Sequence, residues 1–336
     1  HSATHPHYIC RCLEIFRFLA LPLSSATVTY LMSILRNDFN ERPQGPGGVD
    51  RSTYYEVMLS FQVLLAAADE DAIISLPQVL WPFILQLTSE SPKEFSFSAR
   101  HLQALFSKLN FANPAVKAMI DSTFPRDWIE PFQGLQPILL RSLCFKANYD
   151  AAVLLLKDLA LMDSWELVGV QSHIRFLDNL VALLPWMAKH IGEGEAGLHA
   201  AAAASNFDIL FGHSQINDLA AVFHKYAQGE YGTDGLKFLT EISGPLYRSL
   251  MVGSELHTFR MLQYYALFGN PDYAPQALMI LEALIKVIDI GATDLKNRSF
   301  ALFDGLFNSL QKDSWSDAIR VFDAAVSASK GITQYN

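Results

Sequence analysis

Apolar side chains recur at helical spacing in nearly every segment of this sequence, and this period limits the fold more than any other feature. The last segment shows it well, because its apolar residues fall at i, i+3, i+4, i+7, i+10 and i+11: Trp315, Ala318, Ile319, Phe322, Ala325 and Val326. Its charged residues fall on the opposite face. Alternating apolar and polar runs are scarce, and no strand–helix–strand spacing occurs. The sequence therefore predicts an all-α fold with about sixteen helical segments.

The predicted helices are of ordinary length, and short connections rich in Pro, Gly, Asn or Asp join them. Two helices in roughly 40 residues match the HEAT and armadillo period. We expect an α-solenoid of HEAT/armadillo-like antiparallel helix pairs that forms a single helical-repeat fragment over residues 1–336, with further helical pairs at 213–330. The chain begins at His1, so we also expect it to be part of a larger protein.

Two segments depart from this pattern. Residues 37–52 (NDFNERPQGPGGVDRS) combine polar residues with prolines and glycines, and we expect a mobile loop there. Residues 191–205 (IGEGEAGLHAAAAAS) are low in complexity, and their alanines favour a helix without supplying a core. We expect this alanine-rich segment to be flexible.

Charge and composition exclude several function classes. The net charge is −9 and the basic residues are scattered, so the sequence has no footprint for nucleic acid. Three cysteines do not form a disulfide framework in a chain of this size. Two runs of uncharged residues, 18–35 and 72–89, are interrupted by prolines and polar residues, so we expect no membrane span and a cytoplasmic location.

No motif for a cofactor, a metal or a catalytic nucleophile is evident. Gly192, Gly194 and Gly197 match G-x-G-x-x-G, but they follow a helix where the dinucleotide motif requires a strand, and two glutamates lie between them. Cys10 and Cys12 lie on different faces of a predicted helix and do not form a zinc site together. The sequence thus predicts no catalytic, cofactor-binding or metal-binding residues. An all-helical enzyme with a catalytic set assembled in three dimensions remains an alternative.

The most distinctive stretch is residues 124–143, FPRDWIEPFQGLQPILLRSL. Large aromatic residues and prolines alternate here, so the stretch is not a continuous helix, and aromatic side chains of this size are costly to leave in water. We expect an ordered connector laid over helix ends, with a proline in the first turn of the next helix. Its structural residues are Pro125, Trp128, Pro131, Phe132, Gly134, Gln136 and Pro137.

At this connector the chain begins to resemble a known family. The features occur in the order LPQVLWPFILQLT, LNFANPAVKAMI, DWIEPFQGLQPILLRSL and ELVGVQSHIRFLDNLVALLPWM, the last ending in Pro185 and Trp186. This order resembles the C-terminal region of the Furry family of cell-morphogenesis proteins, and fungal members in particular. The resemblance is clearest over residues 54–190.

The resemblance implies a non-catalytic scaffold acting in cell polarity and morphogenesis. Furry-type proteins associate with NDR-family kinases and their Mob coactivators, which implies these partners here and a location at the cell cortex or at sites of polarised growth. It implies no particular partner-binding residues. A second hypothesis is a HEAT-type adaptor that binds basic peptides in an acidic groove, in agreement with the charge of −9.

Overall fold

The computed structural model describes residues 6–19, 22–40, 52–89, 91–123, 134–159, 167, 172–288 and 315–329. Within these ranges the regular structure is helical and no strand occurs, so the all-α prediction is confirmed. The chain divides into two compact units, His1–Phe132 and Gln133–Asn336. The sequence predicted a single helical-repeat fragment, whereas the observed boundary falls inside the proline-rich connector.

The first unit contains seven described α-helices and one 3-10 turn. In chain order these are α1 (Pro6–Phe18), α2 (Ser25–Asn40), α3 (Ser52–Ala67), α4 (Glu70–Ile74), the 3-10 turn (Pro77–Val79), α5 (Trp81–Gln86), α6 (Pro92–Phe106) and α7 (Pro114–Thr123). The predicted mobile loop at 37–52 begins within α2, because the backbone stays helical through Asn40. Residues 41–51 of that loop lie outside the described residues.

Helix α3 is the centre of the first unit and packs against α1, α2 and α6. Its buried side chains include Tyr54 and Phe61, and the Phe61 ring meets Phe83 of α5 edge-on at 5.4 Å. At the carboxyl end of α3, the Lys108 ammonium group donates hydrogen bonds to the carbonyl oxygens of Ala66 and Ala68. These carbonyls lack partners within the helix, so the lysine caps α3.

The segment 70–89 does not form one helix but is broken into α4, a 3-10 turn and α5. Pro77 opens the 3-10 turn and Pro82 lies in the first turn of α5. Each proline lacks the N–H that would continue the preceding helix, so the chain restarts its helix at each one. Asp69 caps α4 by accepting a hydrogen bond from the Ala72 N–H at 2.9 Å.

The second unit contains nine described α-helices. In chain order its elements are α8 (Leu135–Ser142), α9 (Tyr149–Leu159), α10 (Ser172–His190), α11 (Gly194–His213), α12 (Asn217–Ala227), α13 (Gly235–Leu246), a π turn (Tyr247–Met251), α14 (Glu255–Phe268), a 3-10 turn (Pro271–Tyr273), α15 (Ala274–Val287) and α16 (Trp315–Ser329).

Helix α10 lies at the centre of the second unit. It packs against α8, α9, α11, α13, α14 and α15, and residues 177–188 are buried except for Asp178, which is half-buried. In a simple solenoid each repeat contacts only its neighbours in sequence. The contacts of α10 with α14 and α15 therefore depart from nearest-neighbour stacking.

Helix α15 is the second largely covered helix of this unit, as its sparse charge predicted. It packs against α10, α13, α14 and α16. Its exposed line carries Glu282, which pairs with Lys286 at 2.7 Å and with Arg320 of α16 at 2.6 Å. In α16 the observed buried stripe includes Ala318 and Val321, while Ile319, predicted to face the core, is exposed.

The alanine-rich segment at 191–205, which the sequence predicts to be flexible, leads into α11, a 20-residue helix that begins at Gly194. Ala200, Ala203 and Ala204 are fully buried. Small side chains allow helices to approach closely, and Phe207 and Phe211 then anchor α11 against α12. Composition indicated the helix but not the packing that orders it.

Among the described residues, no helix has both the length and the apolar character needed to cross a bilayer.

Candidate interaction surface

The predicted connector lies only partly within the described residues. Pro125, Trp128, Pro131 and Phe132 lie outside them. The remaining three residues of the connector, Gly134, Gln136 and Pro137, lead into α8 and are described below.

Gly134 precedes α8 with a φ of 96°, in the region of backbone space that favours glycine. The next N–H, of Leu135, donates a hydrogen bond to the carbonyl oxygen of Leu167 at 2.8 Å. Gln136 is buried in the first turn of α8 and Pro137 is exposed there. Pro137 costs no helical hydrogen bond, because the first four N–H groups of a helix have no partner within it.

An interior cluster of aromatic side chains lies where the carboxyl end of α10 meets the start of α9 and the 3-10 turn before α15. It consists of Tyr149, Trp186, His190 and Tyr273. The Tyr149 and Tyr273 rings stack at 4.2 Å with 12° between their planes, and the Tyr273 hydroxyl lies 3.0 Å from the His190 Nε2. The His190 ring lies 6.2 Å from the Trp186 ring. Pro185 and Trp186, which carried part of the sequence resemblance, thus belong to the core.

Burial favours the uncharged forms of the polar groups in the interior cluster. It raises the pKa of Tyr149 well above its ordinary value and raises the pKa of Tyr273 to about 12. Burial, with a smaller contribution from the Lys189 charge, lowers the pKa of His190. The cavity beside these residues measures about 10 Å³, enough for one water molecule at most. The interior cluster is therefore a packed support and not a ligand pocket.

A second group of aromatic side chains in this unit, Phe145, Tyr264 and Phe268, is exposed, and we call it the surface patch. Their exposed fractions are 53%, 47% and 59%. Tyr264 and Phe268 are one turn apart on α14, and their rings lie 5.2 Å apart. Phe145 belongs to the turn between α8 and α9.

Two contacts fix the α8–α9 turn to α14 and the segment after it. The Cys144 thiol lies close enough to the Tyr264 hydroxyl for each group to influence the pKa of the other. The Lys146 ammonium group pairs with the Asp272 carboxylate at 2.7 Å. Phe145 lies between Cys144 and Lys146 in the chain, so both of its sequence neighbours are held to α14 or to the segment that follows it.

The same surface is held to the interior cluster below it. The Lys189 ammonium group donates a hydrogen bond to the Asp272 carbonyl oxygen at 2.9 Å, and it lies 4.4 Å from the centre of the Tyr273 ring. Cation–π contacts of this kind stabilise by about 0.5–1 kcal/mol at exposed sites. The surface patch thus has a rigid base.

Cys144 and the nearby pair of His257 and Asp178 do not form an activated nucleophile. The His257 Nε2 lies 2.7 Å from an Asp178 carboxylate oxygen. Burial raises the pKa of the Cys144 thiol, and a catalytic thiol requires the opposite shift. Among the described residues, no group of three or more potential ligands could hold a metal ion.

The glycine motif at residues 192–197 has a structural role in the turn from α10 to α11. Gly197 lies so close to the His190 carbonyl that an added Cβ would be 2.8 Å from its oxygen. The glycines allow the two helices to meet, and the segment does not follow a strand as a dinucleotide motif does.

Sequence reasoning missed the surface patch. A weak signal existed in α14, where Arg260, Tyr264 and Phe268 recur every four residues on one helix face. Periodicity alone does not reveal which face of a helix is left without a partner within the chain. Phe145 lies in a turn and has no periodic signal.

Comparison with known proteins gives a consistent result. A family model described as "Cell morphogenesis C-terminal" matches residues 77–330. The cell morphogenesis protein PAG1 of Saccharomyces cerevisiae is 23% identical over 328 residues, which cover 96% of this chain and 13% of the yeast protein. The cell polarity protein mor2 of Schizosaccharomyces pombe is 26% identical over 180 residues, which cover 53% of this chain and 8% of mor2. The chain thus spans a small fraction of the length of these relatives, and the likeness continues past residue 190.

Proposed function

Because the chain belongs to the cell morphogenesis C-terminal family, we propose that it is a non-catalytic, protein-binding region of a scaffold that acts in cell polarity and morphogenesis. The observation that carries this proposal is the family match over 77–330, together with relatives named for morphogenesis and polarity. The place of action that fits this role is the cell cortex or a site of polarised growth.

The surface patch supports a binding role. Three half-exposed aromatic rings on one rigid surface are unusual in a domain that works alone, because large apolar surfaces in contact with water are costly. Aromatic residues are enriched in the centres of protein–protein interfaces. The raised pKa of Cys144 gives no support to thiol catalysis at this place.

The scaffold is proposed to act through NDR-family kinases and Mob coactivators, the partners implied by the Furry resemblance. A scaffold that holds a kinase near its coactivator raises their effective concentration without new chemistry. We also propose that the helix pairs α11/α12 and α14/α15, each joined by a short connection, are of the HEAT/armadillo type and are gathered around α10.

A second candidate is an adaptor that binds basic peptides, in agreement with the net charge of −9. The charges around the surface patch do not favour the binding of basic peptides at this patch, since Arg141 and Arg260 are exposed beside the rings. A basic ligand would be repelled by these two groups.

The proposal is tested in the full-length protein of the organism that encodes it, by deleting residues 77–330. We expect altered cell shape and loss of kinase and coactivator from the affinity-purified protein. The kinase should retain its activity on a free peptide, since a scaffold contributes position and not chemistry. An immunoblot for abundance controls for loss of the whole protein.

Two results would reject the proposal. Unchanged cell shape with full recovery of the kinase would exclude a scaffold role for this region. Turnover of a small substrate by the purified region would exclude a non-catalytic role.

A further inference from the structure

The surface patch is built from side chains that the protein leaves exposed on a rigid base. Tyr264 and Phe268 project from one face of α14, and Phe145 lies in the α8–α9 turn between Cys144, which is near Tyr264, and Lys146, which pairs with Asp272. A partner that covers the exposed parts of these rings removes apolar surface from water, so the rings contribute to its binding free energy.

The charge at the edge of the surface patch has a definite sign. Arg260 lies one turn before Tyr264 on the same face of α14, and Arg141 is close enough to lower the pKa of Tyr264 in part. Within the part of the chain that the structure describes, neither arginine takes part in an ion pair. Lys146 adds a third cation, which is balanced by Asp272.

Two guanidinium groups without an ion pair among the described residues are a local exception to the overall charge of −9. Guanidinium groups bind carboxylates with two parallel hydrogen bonds, and opposite charges at the rim of an interface raise association rates. The complementary ligand therefore carries carboxylates beside apolar side chains.

A protein segment fits these features better than a membrane does. Recognition of anionic lipid typically uses four to eight clustered basic residues, about twice the number found here. The negative charge of the rest of the chain would also be repelled by an anionic bilayer. The spacing of Tyr264 and Phe268 along one helix suits a partner helix that places its apolar residues at i, i+4 and i+7.

We propose that the surface patch of Phe145, Tyr264 and Phe268, with Arg141 and Arg260 at its edge, is a docking site for an acidic amphipathic segment of a partner protein. The rings receive the apolar face of that segment, and the arginines pair with its carboxylates. This inference rests on the proposed protein-binding role but not on the identity of the kinase.

The test uses the purified full chain and a fluorescent peptide of about 16 residues, with Trp and Leu at helical spacing and Glu elsewhere. We expect fluorescence anisotropy to detect binding that weakens from about 50 to about 300 mM salt, because ion pairs at the rim are screened. Phe268→Ala and Arg260→Glu should each weaken binding by at least about fivefold. A peptide with Lys in place of Glu should not bind.

Matched control variants keep the test specific. Leu198→Ala removes an apolar side chain that is 73% exposed on α11, and Lys117→Glu reverses an exposed charge in the first unit. Both should bind the acidic peptide as the wild type does. Circular dichroism of each variant checks that the helices are retained, and the proposal is judged on the variants that retain them.

Several outcomes would overturn the inference. Equal binding of the acidic peptide to the wild type, Phe268→Ala and Arg260→Glu would show that the surface patch is not its site. Preferential binding of the Lys-containing peptide would favour the basic-peptide adaptor. If the peptide does not bind and the chain self-associates in sedimentation in a way that depends on Phe268, the patch is assigned to a second copy. If instead the chain binds phosphatidylserine vesicles in a way that depends on Phe268, the patch is assigned to lipid. A failed peptide test leaves the deletion phenotype of residues 77–330 untouched, so the two proposals fail separately.

Discussion

His101 provides the sharpest test of the structure, because it is a titratable side chain in a fully apolar place. It lies on α6 and is completely buried. Its ring stacks on Phe83 at 3.5 Å and meets Phe61 edge-on at 6.0 Å. Its Nε2 lies 3.2 Å from the carbonyl oxygen of Val79, which favours the neutral tautomer with the proton on Nε2.

Burial lowers the pKa of His101 to about 3, and the hydrogen bond to Val79 opposes this only in part. In the unfolded chain the His101 imidazole takes up a proton near pH 6.5, whereas in the folded chain this imidazole stays neutral until about pH 3. Proton uptake by the unfolded state thus lowers the free energy of unfolding as pH falls below about 6.5. From linkage, the loss between about pH 7.5 and pH 5.5 is about 1.4 kcal/mol.

Replacing His101 with Gln removes this titration and keeps a side-chain N–H that can donate to the Val79 carbonyl. At about pH 7.5 we expect His101→Gln to be less stable by roughly 1–3 kcal/mol, because the stacked ring is lost. Between about pH 7.5 and 5.5, the variant should lose about 1.4 kcal/mol less than the wild type does. Urea unfolding followed by circular dichroism at both pH values measures the two quantities.

His213→Gln is the matched control, since His213 is exposed at the end of α11. This variant should follow the pH dependence of the wild type to within about 0.5 kcal/mol. A pH dependence of His101→Gln equal to that of the wild type would refute the argument, because it would mean that the imidazole is accessible to protons in the folded chain.

Three further predictions concern other parts of the chain. Gly235→Ala should destabilise the fold by about 1–3 kcal/mol, because the added Cβ would collide with the Ala188 carbonyl oxygen. The added Cβ of Gly212→Ala meets open space within α11, so this variant should be more stable by about 0.5–1 kcal/mol. Thermal melts compare the two variants. Glu282→Gln removes a carboxylate shared by two partly exposed cations, so urea unfolding should show a loss of no more than about 1 kcal/mol that shrinks at high salt. The sequence predicts that Trp128 is buried, so Trp128→Ala should lower the free energy of unfolding by about 3–5 kcal/mol. A melting temperature of the variant within about a degree of the wild type would contradict that prediction.

Periodicity was sufficient to predict helices but not their partners. The helical residues of α10 and α15 were evident from spacing, as was the small exposed face of α15. The packing of α10 against α14 and α15 was not evident, because apolar stripes specify that a face is buried without naming the face it meets. The predicted stacking of helix pairs therefore did not include the contacts of α10 with α14 and α15.

The alanine-rich helix shows a second limit of sequence reasoning. Ala200, Ala203 and Ala204 contribute little apolar area each, so composition predicted weak packing. Their small size is what permits close helix contact, and the stabilising area comes from Phe207 and Phe211 farther along α11. The sequence analysis treated the two halves of one helix separately.

The residues that carry the family resemblance and the residues available to a partner are different ones. The resemblance to the Furry family is confirmed by the family match, and Pro185 and Trp186, which helped to suggest it, lie in or beside the interior cluster. Side chains in such positions report how the helices pack, so a relative at 23% identity can share the fold through them without sharing a binding surface. Phe145 and Phe268, which we propose to meet a partner, are exposed and could change without disturbing that packing. Substitutions at these exposed rings, and not in the core below, are therefore the direct way to separate what this region binds from how it folds.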